Sequence, residues 1–145
     1  MKALSVTQPW ATLIATGQKQ IETRSWGTRY RGPLYIHAAK RFPAYAKTFA
    51  LEGYGNPVGL PTLPLGAIVA MAYLSDVRPT EETLPGITAL EAKYGDFSPG
   101  RYAWILTNLV QIEPFPCKGA LGLFEIAAGA LLDERRGWKA AGRAV

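Results

Sequence analysis

The segment Gly17-Gln18-Lys19-Gln20-Ile21-Glu22-Thr23-Arg24 places three ionisable side chains behind a glycine turn. Read as a strand, it turns Glu22 and Arg24 to one face and Ile21 and Thr23 to the other, while Lys19 precedes the strand and can swing to either side. If the three converge, Glu22 becomes a hydrogen-bond acceptor flanked by two cations. Such a carboxylate suits reading a ligand's donor edge or orienting Lys19 rather than acting as a general acid. The same spacing also fits a surface ion pair of little energetic worth. Upstream, Gln8-Pro9-Trp10 sets an amide and an indole at the amino end of a helix, where backbone N–H groups favour phosphate or carboxylate. The Trp10 ring fits a core position beside Leu13 and Ile14 equally well.

Other candidates follow along the chain. Arg29, Tyr30 and Arg31, with Lys40 and Arg41 beyond the next strand, interleave cations and an aromatic as nucleic-acid surfaces do, and Trp26 or Tyr30 offers a ring on which a base stacks. A merely charged turn has the same composition. His37 alternates with Leu34 and Ile36 and shares the face of Tyr35, from which it could donate to a base or phosphate, or serve structure alone. Cys117-Lys118-Gly119 would let a lysine flanked by small residues approach a ligand closely. Nothing nearby marks a base for Cys117.

The chain has one cysteine and one histidine, which excludes an intramolecular disulfide and a Cys/His zinc cluster. No metal or cofactor is expected. Neither a Walker-type phosphate loop nor a dinucleotide fingerprint is present, so kinase, NTPase and dehydrogenase readings drop out.

These residues need a scaffold, and 145 residues that are 48% apolar and 19% charged supply one domain's core. The net charge of +5 is unevenly distributed. Residues 1–50 carry +7, residues 51–134 carry −6, and residues 135–145 carry +4 through Arg135, Arg136, Lys139 and Arg143. That asymmetry favours a polyanionic partner, nucleic acid before membrane, because no amphipathic anchor or membrane-length apolar run is evident. The first residues lack the apolar run of a secretory signal, so a cytoplasmic location is expected.

Periodicity predicts strands at 3–6, 20–24, 34–38, 66–77, 102–112 and 122–126. Helices are expected from Pro9 to about Thr16, stopped by Gly17, and from Pro43 to Tyr54, closed by Gly53 or Gly55. A Gly- and Pro-rich loop fills 55–64, and Thr88-Ala89-Leu90-Glu91 reads as a capping box opening a helix that Gly95 ends. The fold expected is α+β, with five or six strands curled into a barrel-like sheet and short helices at its ends. Residues 1–130 form the domain, and 131–145 a basic tail or short helix.

Taken in order, Leu4-Ser5-Val6, Gln8-Pro9-Trp10-Ala11, Gly17, Lys19, Glu22 and Arg24, Arg29 to Leu34, Ile36-His37-Ala38, Tyr102-Ala103-Trp104 and Pro116 to Phe124 closely resemble the ASCH domain. The resemblance implies a β-barrel related to the PUA fold, with a cleft between the first helix and the barrel lined by the G-x-K-x-x-E-x-R residues. It also implies RNA or other nucleic-acid binding. On this reading Lys19 and Arg24 meet phosphate or a carbonyl, Glu22 reads a donor edge, and Gln8 and Lys118 complete the rim. RNA is the expected partner, a free nucleotide or nucleoside the alternative occupant, and the oligomeric state is left open. Lys19→Ala and Arg24→Ala are expected to weaken binding far more than folding.

Some ASCH relatives hydrolyse acetylated cytidine with a lysine, a threonine and a glutamate. The position matching that threonine is Glu22, and strand alternation turns Thr23 away, so the expected nucleophile is missing. Other ASCH proteins are described as ribonucleases, which keeps a hydrolase using Lys19 and Glu22 as the alternative to a binding module. A protein-interaction module is the third class weighed.

Overall fold

A computed structural model describes residues 1–52 and 63–127. Its strands are β1 (Lys2–Val6), β2 (Ile21–Arg24), β3 (Gly32–Ala38), β4 (Ala67–Pro79), β5 (Tyr102–Pro116) and β6 (Leu123–Glu125). They form one curled sheet in the order β2-β5-β4-β3-β1-β6. Only β1 and β3 run parallel, and the other neighbours are antiparallel. The expected curled α+β architecture is therefore observed. The expected tail, 131–145, lies outside the described residues, as do Gly53, Gly55 and most of the loop predicted over 55–64.

Curling has a local cause. β4 and β5 lose simple register at three places, Ile68/Ala70, Met71/Tyr73 and Leu74/Asp76. Each irregularity bends the ribbon and increases its twist. Asn108, with φ of 51°, lies within one of these bulges.

Period-two alternation divides the core. Leu34 and Ile36 of β3 join Leu4, Val6, Leu74 and Trp104 on one face, under the helix α1 (Trp10–Ala15). Tyr35 instead joins Ala3, Ile68 and Ile112 on the other. Within α1, Leu13 and Ile14 are fully buried, each burial contributing about 1.5–3 kcal/mol. The helix stops where expected: Gly17 takes φ of +82°, a conformation that side-chain-bearing residues resist.

Four local differences from expectation are observed. α2 (Ala44–Leu51) ends three residues before Tyr54. β5 runs to Pro116 because its last residues still pair with Ala67 and Ile68. A short helix α3 (Thr80–Thr83) and a 3-10 turn over Leu84–Gly86 had no apolar periodicity to announce them, their charged residues facing solvent. The capping box at α4 (Ala89–Tyr94) is half formed: Thr88 Oγ1 accepts the Glu91 N–H, but the Glu91 carboxylate leaves the cap. It accepts the N–H groups of Gln20 and Ile21 instead, each at 3.1 Å, and so blunts the exposed edge of β2.

At the other sheet edge, Lys2 and the Met1 amine hold the Glu125 carboxyl down to about 2 from its ordinary 4.5. A depressed carboxylate contributes stability that is present above the unfolded value and is lost as pH falls through the folded one. Glu125→Gln should therefore lower Tm at neutral pH. The deficit should shrink between pH 4.5 and about 2, as thermal melts across that range would show.

Candidate functional site

Strand alternation places Glu22 and Arg24 together as read from the sequence, and the two pair. Glu22 Oε2 accepts from Arg24 Nε at 3.1 Å and forms an ion pair with Nη2 at 3.0 Å. Arg24 Nη2 also donates to the Ser5 carbonyl at 2.5 Å, which ties β2 across to β1. Arg24 Nη1 makes no hydrogen bond among the described residues. Glu22 Oε1 accepts one, from the Thr23 N–H at 3.2 Å. The pair thus keeps a free donor on Arg24 and acceptor capacity on Glu22.

Lys19 completes this cluster from beneath. Its side chain is 1% exposed. The ammonium donates to the carbonyls of Ile21 at 2.5 Å and Tyr94 at 3.4 Å, and lies 3.7 Å from Glu22 Oε1. Burial pushes it below the ordinary lysine value, an effect opposed by Glu22 and Glu91. Lys19 is therefore a buried support for Glu22, with no donor aimed at a ligand. Lys19 is thus not placed to meet phosphate as expected, since it does not line the cleft, and Lys19→Ala is expected to lower folding stability as well as binding.

Above the pair opens a cleft of about 640 Å³ between β2, α1, α2 and α4. Trp10, Trp26, Tyr45, Phe49 and Tyr94 supply its rings. Glu22 and Arg24 supply polar floor, and Asp96 and Arg101, 3.5 Å apart, a second pair. Trp26 is braced edge-on against buried Trp104, whose indole N–H donates to the Trp26 carbonyl at 3.2 Å. Trp10 stacks towards Phe49 and Tyr45. Its indole N–H is the one buried side-chain polar group among the described residues with no hydrogen-bond partner. An orphaned donor of this kind is costly unless something supplies an acceptor.

Other sequence candidates fall elsewhere. Gln8 is fully buried and its amide is engaged, with Nε2 donating to Thr12 Oγ1 at 2.7 Å and the Pro64 carbonyl at 2.9 Å, and Oε1 accepting the Thr12 N–H at 2.9 Å. It fastens α1 and is not on the rim. Tyr30 donates its hydroxyl to the Pro33 carbonyl, and Arg31 bonds the Thr28 and Tyr30 carbonyls and pairs with Asp76, so neither reaches the cleft. Arg29 lines a separate shallow depression with Tyr102. His37 is buried, with Nδ1 2.5 Å from Ser5 Oγ and Nε2 2.6 Å from the Cys117 carbonyl. The carbonyl can only accept, so Nε2 carries a ring hydrogen and, in the neutral ring, Nδ1 accepts the Ser5 hydroxyl. His37, Lys40 and Lys118 lie together on a second cavity, not on the first.

The sequence reading missed Tyr94, Asp96 and Arg101 as cleft residues. Only the half-formed capping box carried a signal, and it indicated a helix start without showing that α4 docks across β2.

The fold agrees with the comparisons. A family model described as the ASCH domain matches residues 4–116, and the chain belongs to that family. It is 31% identical over 126 residues to Activating signal cointegrator 1 of Homo sapiens and 30% identical over 126 residues to that of Mus musculus. Each match covers 80% of this chain, which spans 20% of the length of those proteins. Among solved structures, ASCH from Zymomonas mobilis superposes with a TM-score of 0.58 at 12% identity, over 96% of each chain. A point variant of that protein also gives 0.58 at 12% identity, over 95% of this chain and 98% of its own. At that identity the likeness concerns the fold.

Proposed function

We propose that the protein binds single-stranded RNA or another nucleic acid by taking one unpaired base into the ring-walled cleft above Glu22 and Arg24. The observation that carries this reading is the Glu22–Arg24 pair lining a cleft walled by aromatic rings, with Arg24 Nη1 making no hydrogen bond among the described residues. A nucleobase edge presents donors and acceptors side by side, and its faces stack on rings. The orphaned Trp10 N–H is a further donor for a ligand that wedges beside it. The basic first third of the chain supplies long-range attraction.

The arrangement favours binding over hydrolysis. Lys19, the group a lysine-dependent hydrolase would use, is buried with its ammonium turned to main-chain carbonyls. Anisotropy titrations of labelled single-stranded RNA, single-stranded DNA and duplex across a salt series test the proposal. Saturable single-strand binding that weakens with salt is expected. No binding at low salt would reject it, and shortened RNA on a gel of the same samples would make the protein a ribonuclease.

A further inference from the structure

Beside the base cleft lies a larger cavity of about 990 Å³, lined in part by His37, Lys40, Arg41, Lys118 and Gly119. Both cavities include Ser5, Thr7 and Tyr45 in their walls. They are therefore adjoining compartments of one furrow, divided by the end of β1 and the exposed Tyr45 ring.

Their electrostatics differ in kind. The first compartment is lined by Glu22 and Asp96 as well as by Arg24, Arg101 and Lys93, and the two arginines are each committed to one of the carboxylates. No acid among the described residues lines the second. Its three cations, Lys40, Arg41 and Lys118, are exposed and form no ion pair or hydrogen bond among the described residues. Unpaired cations around an open cavity draw a diffuse anion, whereas a ring-walled cleft whose two arginines are paired with carboxylates suits a planar group.

The second compartment is closely packed on the side of β1. His37 is clamped by Ser5 and the Cys117 carbonyl, and a Cβ added at Gly119 would lie 2.6 Å from both His37 Cε1 and Ser5 Oγ. Glycine there lets the chain before Ala120 pack directly on the Ser5–His37 pair, which holds Lys118 at the cavity's lip. Cys117 N–H, bonded to the Gly66 carbonyl at 3.0 Å, fixes the same segment from its other side.

We infer that the second compartment receives the phosphodiester next to the base held at Glu22, so that the ligand is a single strand of two or more nucleotides rather than a free nucleoside. This rests on the base-cleft reading above. The two compartments divide the labour: rings and Glu22 with Arg24 take the base, and Lys40, Arg41 and Lys118 take the backbone charge. A duplex does not fit this scheme, because its bases are stacked and paired.

The test compares the wild type with a Lys40→Ala/Arg41→Ala/Lys118→Ala variant, whose changed side chains are exposed and unpaired, so folding should be unaffected. The probes are the four free nucleosides, dinucleoside monophosphates, and a labelled random-sequence eight-nucleotide RNA and its DNA counterpart, each titrated across salt. The wild type should bind the dinucleoside monophosphate more tightly than any nucleoside. The variant should lose about tenfold or more for the octamer with a shallower salt slope, by about 0.7 per phosphate contact removed, and keep the wild-type affinity for nucleosides. Nucleosides bound as tightly as dinucleoside monophosphates, or a variant with wild-type octamer affinity and slope, would overturn this inference while leaving the base cleft standing. Absence of all binding by the wild type would overturn both.

Discussion

Replacing Lys19 by methionine should destabilise the protein by about 3–5 kcal/mol, the usual cost of removing one partner of a buried ion pair. The side chain is 1% exposed, and no solvent reaches in to compensate for its loss. Three groups would be abandoned together: the carbonyls of Ile21 and Tyr94, and the Glu22 carboxylate, left with Arg24 as its remaining cation. Methionine keeps the volume and the unbranched shape, so the loss reports on charge and hydrogen bonding rather than on a cavity. Tm should fall on the order of 10 °C. Lys19→Met/Glu22→Gln should recover part of this, because the second change removes the carboxylate's uncompensated charge. Denaturant melts of the four species close the cycle. A Lys19→Met protein as stable as wild type would show that the ammonium is not the internal support described above.

That expectation reverses the one drawn from sequence, and the reason is instructive. Alternation correctly set Glu22 beside Arg24, because a strand's side-chain period is fixed by its backbone. Lys19 precedes the strand, where no period applies. Its burial depends on Tyr94 and Glu91 of α4, more than seventy residues away in the chain. Gln8 failed as a rim residue for a similar cause: its amide is consumed by Thr12 and by the Pro64 carbonyl, a partner that local pattern cannot reveal. Strand positions, by contrast, were legible, since buried strands carry their apolar pattern in the chain itself. The bulges that curl β4 against β5 were not, because an irregular register is decided between two strands. The basic candidates are scattered over the structure. Arg29 lines a separate depression and Arg31 pairs with Asp76, while Lys40 and Lys118, nearly eighty residues apart, meet on one cavity.

The second large effect concerns Glu22, and its sign separates two kinds of site. Were the cleft a phosphate site, removing the carboxylate would free Arg24 and Lys19 from their counter-charge and tighten anion binding. If Glu22 instead accepts from the donor edge of a base, Glu22→Gln turns part of that acceptor into a competing donor. Each such base contact is worth about 1–3 kcal/mol, so roughly tenfold weaker binding is expected. The salt slope should stay unchanged, because no phosphate contact is lost. The central claim is thus tested most directly by titrating the labelled eight-nucleotide RNA with wild type and Glu22→Gln at one moderate salt concentration, after melts confirm that the variant is folded. The account predicts weaker binding by the variant, and equal or tighter binding would contradict it.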